Sequence, residues 1–198
     1  MKEMAMKWTR ILSFVAFCAA APGWASAQPD QAVHGVQVQG IVKASVQEVW
    51  QAFTTSAGAQ TFFAPKARIE LALGGPYEIY FNPANEAQST QGKRVLSYEP
   101  QAMLSFEWSA PPEVPAVRNT NTWVVVRLMN AGPDRTEVHI SHLGYGSGPE
   151  WDEARKHFEQ GWAELLARLQ QRFAKGPIDW ASQPMMWKKR QASDGAAG

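Results

Sequence analysis

PEWDEARKHFEQGWAELLARLQQRFA, residues 149–174, places apolar side chains three or four positions apart: Trp151, Ala154, Phe158, Trp162, Leu165, Leu166 and Leu169. That spacing predicts a long α-helix with one buried face, and Asp152, Glu153, Arg155, Lys156 and Glu164 fall largely elsewhere around the wheel. Gly176 and Pro177 end the pattern, as expected of residues that cap and then stop a helix. A helix with so broad an aromatic stripe has to lie on an equally apolar surface.

The segments upstream supply that surface, with a period of two instead of 3.6. In residues 136–143, Val138, Ile140 and His142 share a face; in residues 121–129, Val124, Val126 and Leu128 do. The turn between them holds Gly132 and Pro133. Further upstream, from Lys66 to Trp108, Ile69, Leu71 and Leu73 run into the turn Gly74, Gly75, Pro76, and Tyr77, Ile79 and Phe81 come back from it. A polar loop from Asn82 to Gly92 follows. Leu96 with Tyr98, then Leu104, Phe106 and Trp108, read as two more strands joined around Glu99 and Pro100. Strands linked by short turns make an antiparallel meander. A proline-rich loop with Pro111, Pro112 and Pro115 separates the meander from the last two strands.

The first element, His34 to Lys43, alternates Val36, Val38, Gly40 and Val42 against Gln37, Gln39 and Ile41 and reads as a strand. Ser45 then sits three residues before Glu48, the spacing of a capping box, and Val46, Val49, Trp50 and Phe53 give the helix that follows its buried face. A second short helix or loop carries Phe62 and Phe63 and stops at Pro65.

Lys2, Lys7 and Arg10, the apolar run from Ile11 to Ala21, Pro22 and Gly23, and the triplet Ala25, Ser26, Ala27 form the order of a secretory signal peptide, residues 1–27. The apolar run is shorter than the roughly 20 residues that span a membrane, and no other segment approaches that length. Export to the periplasm or the medium is the expectation, with a flexible stretch at 28–33. Cys18, the only cysteine, lies in that leader, so the mature chain has no disulfide, thiolate nucleophile or cysteine metal ligand. Over the full sequence, 19 Lys and Arg nearly balance 18 Asp and Glu, which disfavours nucleic acid as a partner. Residues 176–198 show no period and read as a flexible tail. Within it Trp180, Met185, Met186 and Trp187 precede Lys188, Lys189 and Arg190, a cluster suited to weak contact with a membrane surface or a protein.

Strand, two short helices, meander and long C-terminal helix is the order of the START-like (SRPBCC) superfamily, and the local motifs resemble its branch named for the activator of the Hsp90 ATPase. The residues that carry the likeness are Val46, Val49 and Trp50; Glu70 leading into Leu73, Gly74 and Gly75; Gly92 with Pro100; Leu104, Phe106 and Trp108; Thr136 to Gly144; and Phe158, Gly161, Trp162 and Leu165. The resemblance implies an α+β helix-grip domain over residues 34–175, a curved antiparallel sheet wrapped around the C-terminal helix. It also implies a cavity between the two that takes lipids, sterols or polyketides, and in some members catalyses cyclisation or dehydration.

Side-chain parity then gives a wall of Tyr77, Ile79, Tyr98, Phe106, Trp108, Val124, Val126, Val138 and Ile140, closed from the helix by Phe158, Trp162 and Leu165. A packed core would use the same residues, so parity alone does not separate wall from filling. His142 falls inward near a strand end, placed either to orient a ligand or to be bonded at the strand terminus; His139 should face solvent. The spacing of His34, His139, His142 and His157 matches no metal motif, and no metal or cofactor is expected. Glu70 reads as a turn-holding carboxylate, and Arg94 and Arg118 as cations at the cavity or its rim. Ser147, without the surroundings of a nucleophile elbow, reads as a loop or cap residue, and no catalytic residue is assigned. Three functions stand: a carrier of a small apolar ligand, a cyclase or dehydratase using His142 and a tyrosine, and an interaction or co-chaperone-like protein whose cavity is merely core.

Overall fold

The computed structural model describes residues 35–85, 87–110, 112 and 115–182. The expected leader with its cleavage site, residues 28–33 and the tail beyond 182 lie outside them. In chain order the elements are β1 (Val36–Val42), α1 (Val46–Thr54), α2 (Ser56–Gln60), β2 (Lys66–Ile69), β3 (Tyr77–Tyr80), β4 (Val95–Glu99), β5 (Met103–Trp108), α3 (Pro115–Arg118), β6 (Thr122–Asn130), β7 (Thr136–Leu143) and α4 (Pro149–Lys175). The architecture is the α+β helix grip that the sequence predicts.

Five strands form one antiparallel sheet in the order β1-β7-β6-β5-β4, and β2 pairs with β3 in a second. The small sheet is tied to β4 through the backbone: Tyr77 N–H donates to Lys93 O, and Val95 N–H donates to Gly75 O. The strands thereby continue around α4 from β1 to β2. Inner residues of β6 and β7 alternate with outer ones as the period-two reading requires, Val124, Val126, Val138 and Ile140 being buried.

Ser45 caps α1 as a reciprocal box, accepting from Glu48 N–H while its own N–H donates to the Glu48 carboxylate at 2.9 Å. Such a cap contributes about 1 kcal/mol. Thr55 ends α1 and caps α2, and Gly58 makes the tight corner possible, since a Cβ there would lie 2.2 Å from Gln51 O. Phe62 and Phe63, in the turn after α2, are thereby driven under the sheet.

Three expectations are corrected. The strand through Ile69, Leu71 and Leu73 ends at Ile69, because Ala72 N–H turns back to Glu70 O and Gly75 N–H to Ala72 O, and Leu73 is left 73% exposed. On β4 a bulge sets Leu96 and Ser97 against the single residue Ser105, so the inward positions are Val95 and Tyr98. Leu96 turns outward, 44% exposed, and Arg94 with it; its guanidinium donates to Gly74 O. Finally, the segment beyond Gly176 does not begin as a loose tail: Ile178 is buried with its N–H on Thr61 O, and Trp180 Nε1–H donates to Gln60 O at 2.6 Å under the Arg168 guanidinium.

Candidate functional site: an aromatic cavity between the sheet and the C-terminal helix

Aromatic rings run in an unbroken series through the interior. Tyr77 stacks on Phe106 at 3.9 Å, Phe106 meets Trp108 at 5.8 Å, and Trp108 meets Trp162 at 4.8 Å. Phe63 touches both tryptophans and Phe81. At the Tyr77 end the packing is closed. At the tryptophan end it opens into a cavity of about 100 Å³.

Trp108, Ser109 and Ala110, at the exit of β5, form one wall of that cavity, and Phe63 and Phe81 form its floor. The opposite wall is α4, through His157, Phe158, Gly161, Trp162 and Leu165. The third side is the loop between β3 and β4, which contributes Gln88, Ser89 and Thr90. The interior is therefore mostly ring carbon, with a few hydroxyls, an amide and an imidazole near its edge.

That loop is fixed from below. Glu78 on β3 is buried, and its carboxylate accepts from Gly92 N–H at 2.9 Å, Tyr80 O–H at 2.9 Å and the Arg68 guanidinium at 3.4 Å. Burial pushes the Glu78 carboxyl up, but these three donors outweigh it and hold the group below the usual carboxylate range. Thr90 adds a second anchor, accepting from Ile79 N–H at 2.8 Å. From above, Arg118 on α3 donates to Ala87 O and to Ala110 O at 3.1 and 2.8 Å, so one guanidinium joins two segments of the rim. Glu70, expected to hold the turn at Gly74 and Gly75, is exposed and takes part in that turn through its backbone, its N–H donating to Pro76 O and its carbonyl accepting from Ala72 N–H.

His142 is 0% exposed and lies behind the helical wall, packed edge-on against Phe158 and Tyr145. Trp162 Nε1 can only donate, and it lies 3.2 Å from His142 Nδ1, so Nδ1 is the unprotonated nitrogen. The Tyr145 hydroxyl, at 2.8 Å, donates to the same atom. Nε2 then carries the proton, and it has no partner among the described residues. Burial without a counter-charge lowers the imidazole pKa to about 3, so the ring is neutral. The structure thus brings His142 and Tyr145 together, but away from the cavity. Trp108 Nε1–H is a second buried donor with no acceptor among the described residues.

Of the residues singled out by parity, Trp108, Phe158, Trp162 and Leu165 line the cavity. Tyr77, Ile79, Phe106, Val124, Val126, Val138 and Ile140 are buried in the core beside it, and Tyr98 is half-buried. Sequence reasoning missed the loop side, because loops carry no period to read. Gly161 had a legible signal: glycine inside a helix costs about 1 kcal/mol relative to alanine, and this one falls on the apolar stripe. His139, as expected, is on the outer face, paired with Glu137 at 2.9 Å. Among the described residues, no three His, Cys, Asp or Glu side chains gather to hold a metal ion, and no helix is long and apolar enough to cross a membrane.

A family model described as Activator of Hsp90 ATPase homolog 1-like protein matches residues 43–174. No curated protein matches the chain. Among solved structures, protein MLL2253 from Mesorhizobium loti is similar over 73% of this chain and 99% of its own, with 20% identity and a TM-score of 0.60. The Aha1 dimer from Colwellia psychrerythraea aligns over 72% of this chain and 97% of its own, with 19% identity and a TM-score of 0.55. CalU16 from Micromonospora echinospora aligns over 81% and 84% respectively, with 21% identity and a TM-score of 0.53.

Proposed function

Because the chain belongs to the Activator of Hsp90 ATPase homolog 1-like family, whose members vary in what they do with one fold, we propose from its own site that it carries a small hydrophobic molecule in the cavity between sheet and helix. We place this activity outside the cytoplasm, on the strength of the leader-like residues 1–27.

The observation that carries the reading is the cavity itself. An interior of Phe63, Phe81, Trp108, Phe158 and Trp162 loses hydrophobic free energy wherever their surfaces meet water, at about 25 cal/mol per Å². A hydrophobic guest restores it. The carrier reading is also favoured over a cyclase or dehydratase that would use His142 and a tyrosine, because His142 has its lone-pair nitrogen occupied by Trp162 and Tyr145 and stands behind the wall.

A ligand in the cavity that Trp108 and Trp162 both line, their ring centroids 4.8 Å apart, should change tryptophan emission. A panel of fatty acids, sterols, aromatic polyketides and single-ring aromatics is therefore titrated by fluorescence and by thermal melting. A binder present at about a hundred times its Kd should add about 2.7 kcal/mol of stability. Gly161→Leu, which fills the cavity from α4, should abolish both responses with the fold intact. A panel that produces neither response in the wild-type protein overturns the carrier reading. Fractionation of the native host, with N-terminal sequencing, tests export: a mature start at Gln28 is expected, and Met1 retained on cytoplasmic protein rejects it.

A further inference from the structure

We propose a second site, apart from the cavity: the Arg168 guanidinium on α4 binds a phosphate-type oxyanion, with Arg172 one turn further on as the second cation. Both residues lie where α4 meets the turn after α2 and the docked residues 178–180. Arg168, Arg172 and Trp180 are not part of the cavity lining, so this site stands or falls independently of the carrier reading.

Arg168 is the observation that carries it. The residue is only 9% exposed, and the Trp180 ring covers its guanidinium, with the centroid at 5.4 Å. Buried cations are ordinarily paired and hydrogen-bonded, because their lost hydration otherwise goes uncompensated. Here the guanidinium has no hydrogen-bond acceptor and no carboxylate in ion-pair contact among the described residues. Glu164, one turn back along α4, acts on it only through space. Asp179, beside Trp180, accepts instead from Ala181 N–H at 3.0 Å. An aromatic face attracts a cation, yet it offers no acceptor to the five N–H groups that lie in the guanidinium plane.

These donors are within reach of a solute. Among the described residues, the unbonded side-chain nitrogens sealed from solvent are Trp108 Nε1 and His142 Nε2. The Arg168 nitrogens, unbonded as well, therefore touch solvent.

Arg172 repeats the arrangement. Its Nε–H donates to Thr61 Oγ1 at 3.1 Å, and its guanidinium lies 4.1 Å from the centroid of the Phe173 ring. Its two terminal nitrogens have no acceptor among the described residues, and Glu48 on α1 interacts with it only through space. Residues four apart on a helix are neighbours, and like charges at that spacing repel. An anion between the two relieves the repulsion. Each guanidinium presents a planar fork that fits a pair of phosphate oxygens. A phosphate has oxygens for both forks, whereas the two of a carboxylate are matched by one.

The test titrates the protein with inorganic phosphate, at an ionic strength held constant with potassium chloride, and follows the Arg168 Nε–H resonance together with the Kd by calorimetry. The resonance should move saturably with phosphate and stay still with chloride, a reading that needs no variant. Arg168→Gln should weaken phosphate binding about tenfold to a hundredfold, the effect of hydrogen bonds to a charged group. Arg168→Lys, which keeps the charge and loses the fork, should fall between. Co-sedimentation with vesicles of phosphatidylglycerol or phosphatidylcholine then separates the sources of the phosphate. Pelleting with phosphatidylglycerol alone, reduced in Arg168→Gln, makes it a lipid headgroup; no pelleting, or pelleting that Arg168→Gln leaves unchanged, makes it a free phosphate compound. An Arg168 resonance unmoved by phosphate, or binding as tight in Arg168→Gln as in the wild-type protein, overturns the site and leaves the carrier reading untouched.

Discussion

The interior has two ends built from the same kinds of residue, and they are finished differently. At one end Tyr77 lies flat on Phe106, Phe53 meets Phe62 edge to face, and the Tyr77 hydroxyl donates to Phe53 O at 3.0 Å. Every ring there is buried and the polar tip has its partner. At the other end Trp108 and Trp162 border a cavity, and two buried N–H groups, on Trp108 and His142, lack acceptors among the described residues. An unmet buried donor costs about 1–3 kcal/mol. A fold able to satisfy one end completely shows no general inability to do so at the other. On the proposed carrier reading, the tyrosine end supplies stability and the tryptophan end recognition.

The sharpest way to break that division is Phe106→Ala. Phe106 is fully buried, stacked on Tyr77 and in contact with Trp108. Its removal should cost about 3–5 kcal/mol in denaturant melts, in the range for buried phenylalanine. A loss below about 1 kcal/mol would mean that the closed end is not what holds the domain together.

His142→Leu comes next. It deprives Trp162 Nε1–H and Tyr145 O–H of their shared acceptor and should cost about 1–3 kcal/mol. His142→Asn, whose side-chain oxygen can accept in a similar place, should lose less. The pH dependence separates this effect from simple packing. Folded His142 is neutral down to about pH 3, whereas in the unfolded chain it takes up a proton near pH 6.5. Below pH 6.5 the unfolded state binds more protons, so stability present above that pH is lost as pH falls, by about 1.4 kcal/mol per unit, until the folded pKa is reached. His142→Leu should flatten this slope between pH 6 and about 5, above the range where Glu78 and other carboxylates titrate. An unchanged slope in urea melts across that interval would show that the buried imidazole is not the acid-sensitive group.

These two residues also mark what could be read before the structure. Phe106 and His142 were placed inward by period-two alternation alone, and so were Val124, Val126, Val138 and Ile140. Alternation fails where the ladder is interrupted: the bulge at Leu96 and Ser97 reverses the parity that had brought Arg94 inward. It says nothing about loops, and half of the cavity is loop. Gln88, Ser89 and Thr90 reach the cavity because Glu78, a residue whose parity against Tyr77 and Ile79 suggests an outward position, is buried as an anchor for Gly92. That contact joins residues 14 positions apart in the chain and leaves no local trace in either segment. Ile178 and Trp180 were equally invisible, since a docked segment without period looks the same as a loose one.

The finest test compares a matched pair of substitutions, one at each end. Tyr77→Phe removes a hydroxyl from a filled space and with it the bond to Phe53 O, so it should destabilise by about 1 kcal/mol. Trp108→Phe removes more apolar surface, a change that in a closed core would cost about 1–2 kcal/mol. Here it also removes a buried donor that has no acceptor among the described residues, which returns a similar amount. The two effects oppose each other, and the expected net change in the ligand-free protein is within about 0.5 kcal/mol of zero. The larger excision should therefore be the milder one, an inversion that side-chain volume alone does not produce. If chemical denaturation finds Trp108→Phe costlier than Tyr77→Phe, the indole N–H is already satisfied in the free protein, and the two ends are finished alike.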